Sequence, residues 1–181
     1  FEYYKSIIPN IFFFIIDDGS DLKFLKYYDS YFNMDNTVLD LNKINFYSFK
    51  THLGRFNVCH YGWMRSFSYS IEIAKKKNFD RIIHFEVDFF ILRKKFLDYV
   101  LSINSGWNAA WCPLYEFVES ACQVICIDEY ETVLTACEEM RTKWKIFDCE
   151  KKIEDSDLIN NFLVEINFMK YCNVFTYLED E

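Results

Sequence analysis

The stretch Arg81-Ile82-Ile83-His84-Phe85-Glu86-Val87-Asp88-Phe89-Phe90-Ile91-Leu92 decides how this chain is read. It is the most apolar strand-like run in the sequence, and two carboxylates, Glu86 and Asp88, interrupt it near its end. Strand side chains alternate between faces, so these two point the same way. A buried carboxylate without a partner is costly or takes up a proton. Two on one face call for a cation, and oxygen ligands favour a hard ion such as Mg2+ or Mn2+, which commonly also holds substrate phosphates. The pair therefore points to a metal–phosphate site at a strand end. The plainer alternative is one carboxylate on each side of a turn, or a salt bridge to Arg93 or Lys94.

Working outward, Ile11-Phe12-Phe13-Phe14-Ile15-Ile16 is a continuous apolar run that ends in the turn signal Asp17-Asp18-Gly19-Ser20. That is the pattern of a strand buried on both faces, as in a parallel sheet. Ser20 or Asp21 caps a helix reaching about Tyr31, and Val38 to Leu41 reads as a short strand. A helix is expected from Tyr61 to Lys77, because Met64, Phe67, Ile71 and Ala74 form one stripe at spacings of three and four. Lys75-Lys76-Lys77 complements its dipole, and Asn78-Phe79-Asp80 ends it. Phe96, Leu97, Val100 and Leu101 suggest a further helix. Ala109 to Cys112 is a strand stopped by Pro113. Asp128-x-x-Glu131 resembles a capping box before the stripe Tyr130, Val133, Leu134 and Cys137. Ser156 starts a last helix with Leu158, Phe162 and Ile166, and Asn173 to Leu178 is a terminal strand. Strands alternating with helices imply an α/β fold with a mostly parallel central sheet flanked by helices, in a single domain over residues 1–181.

Composition narrows the functional classes. The chain is 51% apolar and 20% aromatic, which argues against disorder. Its net charge of −8 argues against nucleic acid as the main partner, since phosphate backbones require a basic face. The seven cysteines are scattered and include no Cys-x-x-Cys pair, against a zinc ribbon or redox motif. There is no glycosylation sequon, signal peptide or transmembrane span, so a reducing, cytoplasmic location is expected.

In open α/β sheets, ligands bind beyond the carboxyl ends of the strands. Asp17-Asp18 and Glu86-x-Asp88 both sit at such ends. The order runs from Ile16-Asp17-Asp18-Gly19-Ser20 through a loop with Gly54-Arg55 to the helix opening Tyr61-Gly62-Trp63-Met64-Arg65-Ser66. Asn78-Phe79-Asp80-Arg81-Ile82-Ile83-His84-Phe85-Glu86-Val87-Asp88 follows. This order resembles the nucleotide-sugar-binding half of a GT-A glycosyltransferase, with Glu86-Val87-Asp88 standing where that family has a D-x-D motif. The resemblance covers residues 7–92 and implies a Rossmann-like architecture, with 1–92 as the nucleotide-sugar half and 93–181 as the acceptor half. It implies that Asp17 or Asp18 contacts the nucleotide, and that Glu86 and Asp88 hold Mn2+ or Mg2+ on the diphosphate. The family's first strand is expected before Phe1.

Among the residues themselves, Arg65 suits a diphosphate because guanidinium matches phosphate geometry. Gly62 lets a helix start approach a phosphate. The plainer readings are a solvated arginine and a tight turn. His84 shares a face with Glu86 and reads as a buried, hydrogen-bonded histidine. Past the metal strand, Glu119 and Glu116 are the candidate general bases, and Trp111 and Tyr115 the candidate sugar-stacking residues. Cys122 shows no neighbouring base. The leading expectation is a metal-dependent glycosyltransferase that moves a sugar from a UDP- or GDP-sugar to a hydroxyl of a glycan or glycoprotein. The alternatives are a catalytically silent glycan-binding or interaction domain of the same fold, and a sugar nucleotidyltransferase.

Overall fold

A computed structural model describes residues 1–8, 10–35, 37–54, 60–87, 89–112, 117–150 and 173–175. The chain divides into two compact units, Phe1–Ser70 and Ile71–Glu181, with the division falling inside one helix.

The first unit opens with helix α1 (Glu2–Ile7) and strand β1 (Phe13–Asp17). A 3-10 helix, Leu22–Tyr31, follows; its cap is Asp21, which accepts from the Lys23 amide. Strands β2 (Phe32–Asn33) and β3 (Ile44–Ser48) complete a three-stranded sheet in the order β1-β3-β2. Both pairings are parallel, with Phe13 opposite Ile44 and Asp17 opposite Ser48. Parallel strands need a crossover between them, and β3 takes the central place with Phe46 and Tyr47 buried. Phe32 meets Phe46 edge-on at 5.4 Å, and Tyr47 meets Tyr69 at 5.9 Å.

Val38 to Leu41 does not form the expected strand, and polar side chains supply the reason. Asn45, 1% exposed in β3, donates to Phe13 O and Asp40 O and accepts from Asn33 Nδ2 and the Asp40 amide. Asn33 Nδ2 also donates to Val38 O at 2.7 Å, and Asp40 accepts from the Asn42 amide. Side chains thus satisfy backbone groups that a strand would have paired. The strand lies a few residues later, where a buried Asn interrupts the apolar pattern.

Helix α2 (Tyr61–Lys77) has the expected bounds. Its stripe of Met64, Phe67, Ile71 and Ala74 is buried, each at or below 1% exposure. Asn78 ends it at φ +56°, a left-handed cap that Asn tolerates.

The second unit contains β4 (Arg81–Phe85), α3 (Lys94–Ser102), β5 (Trp107–Cys112), β6 (Phe117–Cys126), a short 3-10 turn (Ile127–Glu129), α4 (Tyr130–Glu150) and β7 (Asn173–Phe175). The sheet order is β4-β6-β5-β7. β6 runs antiparallel to both β4 and β5, and β7 is parallel to β5. The chain is therefore mixed α/β, with one small parallel sheet and one mainly antiparallel sheet, rather than a mostly parallel central sheet. The cause is local: only residues 113–116 separate β5 from β6, too few for the crossover that a parallel pairing requires. Arg81 Nη1 donates to Leu101 O at 2.7 Å and Ile103 O at 2.5 Å, satisfying carbonyls at the end of α3. The core gathers Val100, Trp107, Val124, Ile125, Tyr130, Val133 and Cys137.

The capping box at Asp128 does not form. Both Asp128 oxygens instead accept from the Gly106 amide, at 3.1 and 3.0 Å. Cys122, Cys126 and Cys137 are buried free thiols, and burial raises Cys137 to about 12. The terminal strand is seen at Asn173–Phe175. The helix expected from Ser156 lies outside the described residues. No helix among the described residues is long and apolar enough to cross a membrane.

Candidate functional site

At the carboxyl end of β1, the two aspartates have different fates. Asp17 turns its Oδ2 back on its own loop. It accepts from the Gly19 amide at 2.9 Å, the Ser20 amide at 2.8 Å and Ser48 Oγ at 2.7 Å. Burial works to raise its pKa, but the hydrogen bonds from Ser20, Ser48 and Gly19 outweigh it and hold the carboxyl below its ordinary value. Asp17 is thus the closing residue of a turn, with Gly19 at φ +90° and no room for a Cβ against His52 N at 2.8 Å.

Asp18 faces a cluster drawn from two further segments. Its Oδ2 accepts from the Leu53 amide at 3.0 Å and the Gly54 amide at 2.7 Å, and lies 3.2 Å from His52 Nδ1. Its Oδ1 forms an ion pair with Arg65 Nη2, which also donates to Thr51 O at 2.5 Å and Asp18 O at 3.2 Å. The Arg65 guanidinium lies 4.0 Å over the Phe49 ring. Arg65 Nε is buried and has no partner among the described residues. Gly62 makes the approach possible: a Cβ there would stand 2.1 Å from Asp18 Oδ2, and its amide donates to Gly54 O at 2.9 Å. The structure therefore brings Asp18, Gly62 and Arg65 together and leaves Asp17 in its own turn.

This cluster carries a stability prediction. Asp18 and Arg65 side chains are only 16% and 22% exposed. Breaking a buried pair costs roughly 3–5 kcal/mol, and the partial exposure lowers that figure. Two backbone amides also lose their acceptor. Asp18→Ala is expected to cost about 3 kcal/mol in urea unfolding, and a loss below about 1 kcal/mol would show that the pair is not supporting this corner.

In the second unit, Glu86 lies one residue past β4. Its amide donates to Ala121 O at 3.1 Å, extending the β4–β6 ladder, and Ser120 Oγ donates to its Oε1 at 2.8 Å. Of the bridging partners considered for this stretch, Lys94 pairs with Asp98 at 2.6 Å. Ser120 reaches Glu86 because β6 bulges: Ala109 is opposite Gln123 while the next residue, Ala110, is opposite Glu119. Glu119 therefore belongs to strand β6. Trp111 is in β5 opposite Val118 and is partly buried. Asp88, Tyr115 and Glu116 lie outside the described residues.

His84 lies in β4 and pairs in register with Gln123. Burial penalises its charged form and lowers its pKa to about 4 from 6.5. In the folded state it is neutral at pH 7, whereas in the unfolded chain it takes a proton below about 6.5. Protons bind the unfolded state preferentially, so stability falls as pH drops from about 6.5 toward 4. The shift corresponds to about 3 kcal/mol over that window. Urea unfolding at successive pH values should show this slope, and His84→Gln should flatten it; an unchanged slope in the variant would assign the effect to other groups.

Oxygen donors at Glu86 suit a hard divalent cation. Among the described residues, no three His, Cys, Asp or Glu side chains gather into a metal-holding group. Of the two carboxylates expected to hold a cation, Glu86 is described and Asp88 lies outside the described residues. Sequence reading missed His52, Thr51, Ser120 and Gln123. The first two act through a fold-back of a loop, and the last two through a bulge, and neither leaves a periodic signal. No family model matches the chain, and no curated protein matches it either.

Proposed function

We propose that this chain is a metal-dependent glycosyltransferase of GT-A architecture, moving a sugar from a UDP- or GDP-sugar to a hydroxyl of a glycan or glycoprotein. The observation that carries this reading is the meeting of Asp18, Gly62 and Arg65 at the carboxyl end of β1, the edge where α/β sheets take ligands. The order of these residues and of Glu86-x-Asp88 along the chain supports it.

Asp18 would contact a base or ribose through the acceptor capacity that Oδ1 keeps beside its bond from Arg65. Arg65, held by Asp18 and Thr51, presents a guanidinium whose orientation is fixed before a phosphate arrives. The N-terminus of α2 adds amide donors suited to an anion. Glu86 and Asp88 would hold Mn2+ or Mg2+, which when bound neutralises the diphosphate leaving group as a Lewis acid. Glu119, with Glu116 as the other candidate, would take the proton of the acceptor hydroxyl. Trp111 and Tyr115 would stack on the acceptor sugar.

A second reading is favoured by the same corner: Asp18 and Arg65 satisfy each other, as they would in a catalytically silent glycan-binding domain that keeps the fold. Thermal shift across a panel of nucleotide sugars, with and without Mn2+, tests the first reading, because a bound ligand stabilises the fold by mass action. A Mn2+-dependent shift with one donor, together with its turnover, supports the enzyme. A shift with glycan alone and no donor turnover supports the silent domain.

A further inference from the structure

We infer that His52 is a specificity-determining residue of the Asp18 corner, its Nε2 accepting the ring N–H of a uracil or guanine base; this rests on the reading of that corner as a nucleotide site. The starting point is the tautomer of the imidazole. His52 Nδ1 lies 3.1 Å from Asp18 O and 3.2 Å from Asp18 Oδ2. Both oxygens are acceptors. One is a backbone carbonyl, and the other already receives the Leu53 and Gly54 amides, at 3.0 and 2.7 Å. Neither has a hydrogen to give, so the ring must supply it, and Nδ1 carries the proton. A neutral imidazole has a single N–H, so Nε2 keeps its lone pair and is an acceptor. Asp18 thereby sets the chemistry of the other ring nitrogen.

The surroundings fix the ring and leave that nitrogen approachable. The His52 side chain is 64% exposed. Gly54, at φ +61°, has no Cβ; one there would stand 2.7 Å from Nε2 and close off that side of the ring. Gly19 lets the loop backbone come in, since a Cβ on it would meet His52 N and Thr51 C at 2.8 Å, and Gly62 does the same for the Asp18 carboxylate. Three of the chain's four glycines thus stand against these few residues, so the close packing of the corner is written into the sequence. Asp18 Oδ1 keeps room for one donor beside Arg65, and Nε2 adds a second acceptor a short way along the loop. Such an acceptor selects among bases. Uracil and guanine carry a hydrogen on a ring nitrogen, where cytosine and adenine carry a lone pair. Two facing lone pairs make no bond and leave both groups unpaired, which costs affinity. His52 therefore favours UDP- and GDP-linked donors over CDP- and ADP-linked ones.

The test is calorimetry on the full chain with Mn2+, in mildly alkaline buffer, comparing UDP with CDP and with UDP methylated on its ring N–H. If GDP is the nucleotide bound, ADP and the ring-methylated GDP take those places. The parent is expected to bind the N–H-bearing nucleotide about tenfold more tightly than either comparison, the order of one hydrogen bond. His52→Asn keeps an amide N–H near the position of Nδ1 and has no atom at Nε2, so it should bind all of them alike, at the weaker value. His52→Gln, whose amide oxygen reaches toward the position of Nε2, should recover part of the preference. A histidine that only braces the loop would be replaced by Asn without change, so a parental preference in His52→Asn overturns the inference. A neutral ring with its proton on Nε2, read from the imidazole nitrogen chemical shifts of the ligand-free protein, also overturns it. A parent that binds UDP or GDP without preference over the comparisons overturns the inference and leaves the nucleotide reading standing. A parent that binds neither UDP nor GDP overturns the nucleotide reading and this inference with it.

Discussion

Asp88→Asn should abolish Mn2+-dependent binding of UDP, with Glu86→Gln producing a smaller loss. Converting a carboxylate to an amide keeps the shape and removes the charge, and a hard divalent ion depends on that charge. The ranking has a structural basis. Glu86 already accepts from Ser120 Oγ at 2.8 Å, so part of its acceptor capacity is committed within the protein. Asp88, two residues on, is expected to carry the larger share of the ligation. Its side chain is also one methylene shorter, so less rotameric freedom is lost on ligation. Calorimetry of UDP with Mn2+ against UDP alone reads the effect. An Asp88→Asn protein that binds metal and nucleotide as the parent does would remove the metal role from this strand end.

Glu119→Gln is expected to lower sugar transfer by about 10²–10⁴-fold, the usual contribution of a general base, while donor and Mn2+ affinity stay at parental values. The placement of Glu119 sharpens the argument. It is opposite Ala110 at the edge of the β6 bulge, so its backbone is fixed by strand pairing. A base on a strand is held more tightly than one on a loop. The readout is a single-turnover rate for transfer to acceptor, compared with the rate of donor hydrolysis by water. Parental transfer by the variant would exclude Glu119 and turn attention to Glu116. The reading of the first ninety or so residues would stand, since it draws on the residues around Asp18 and Arg65.

What could be read in advance follows from where apolar side chains carry the information. Helix α2 was legible to the residue, because Met64, Phe67, Ile71 and Ala74 keep a strict helical spacing and Asn78 supplies the left-handed stop. β1 was legible as a strand, with Asp17 extending it past Ile16, but not as one buried on both faces: it lies at an edge of its sheet and Ile15 is 41% exposed. β3 was missed because Asn45 holds four hydrogen bonds inside the sheet, and a buried Asn looks like a turn residue in sequence. β6 was missed for the same kind of reason: Glu119, Ser120 and Gln123 break the alternation of an otherwise apolar strand. Without β6, the antiparallel character of the second sheet was not foreseeable. The Asp128 signal failed because the carboxylate found the Gly106 amide, 22 residues away, in place of its own helix. At the candidate site, Asp18, Gly62 and Arg65 were legible through their positions at a strand end and a helix start. The pairing of Asp18 with Arg65 was not, because the meeting depends on Gly54 and His52 folding back.

The bulge in β6 also works as a slip joint. From Gln123 onward, the register with β5 is pinned by the indole of Trp107 and the pairing of Trp107 with Ile125. From Glu119 backward, the register is set separately by Trp111 with Val118. A change of one residue in an ordinary strand turns every later side chain to the opposite face. Here, the β5 side of the strand carries two separately set registers, while Cys122 and Ala121 stay paired with Phe85 and the Glu86 amide on the β4 side. A residue gained or lost beyond Glu119 and Trp111 would therefore leave the pairing of Gln123 and Ile125 with β5 in place, so the core half of the strand does not depend on the length of its outer end.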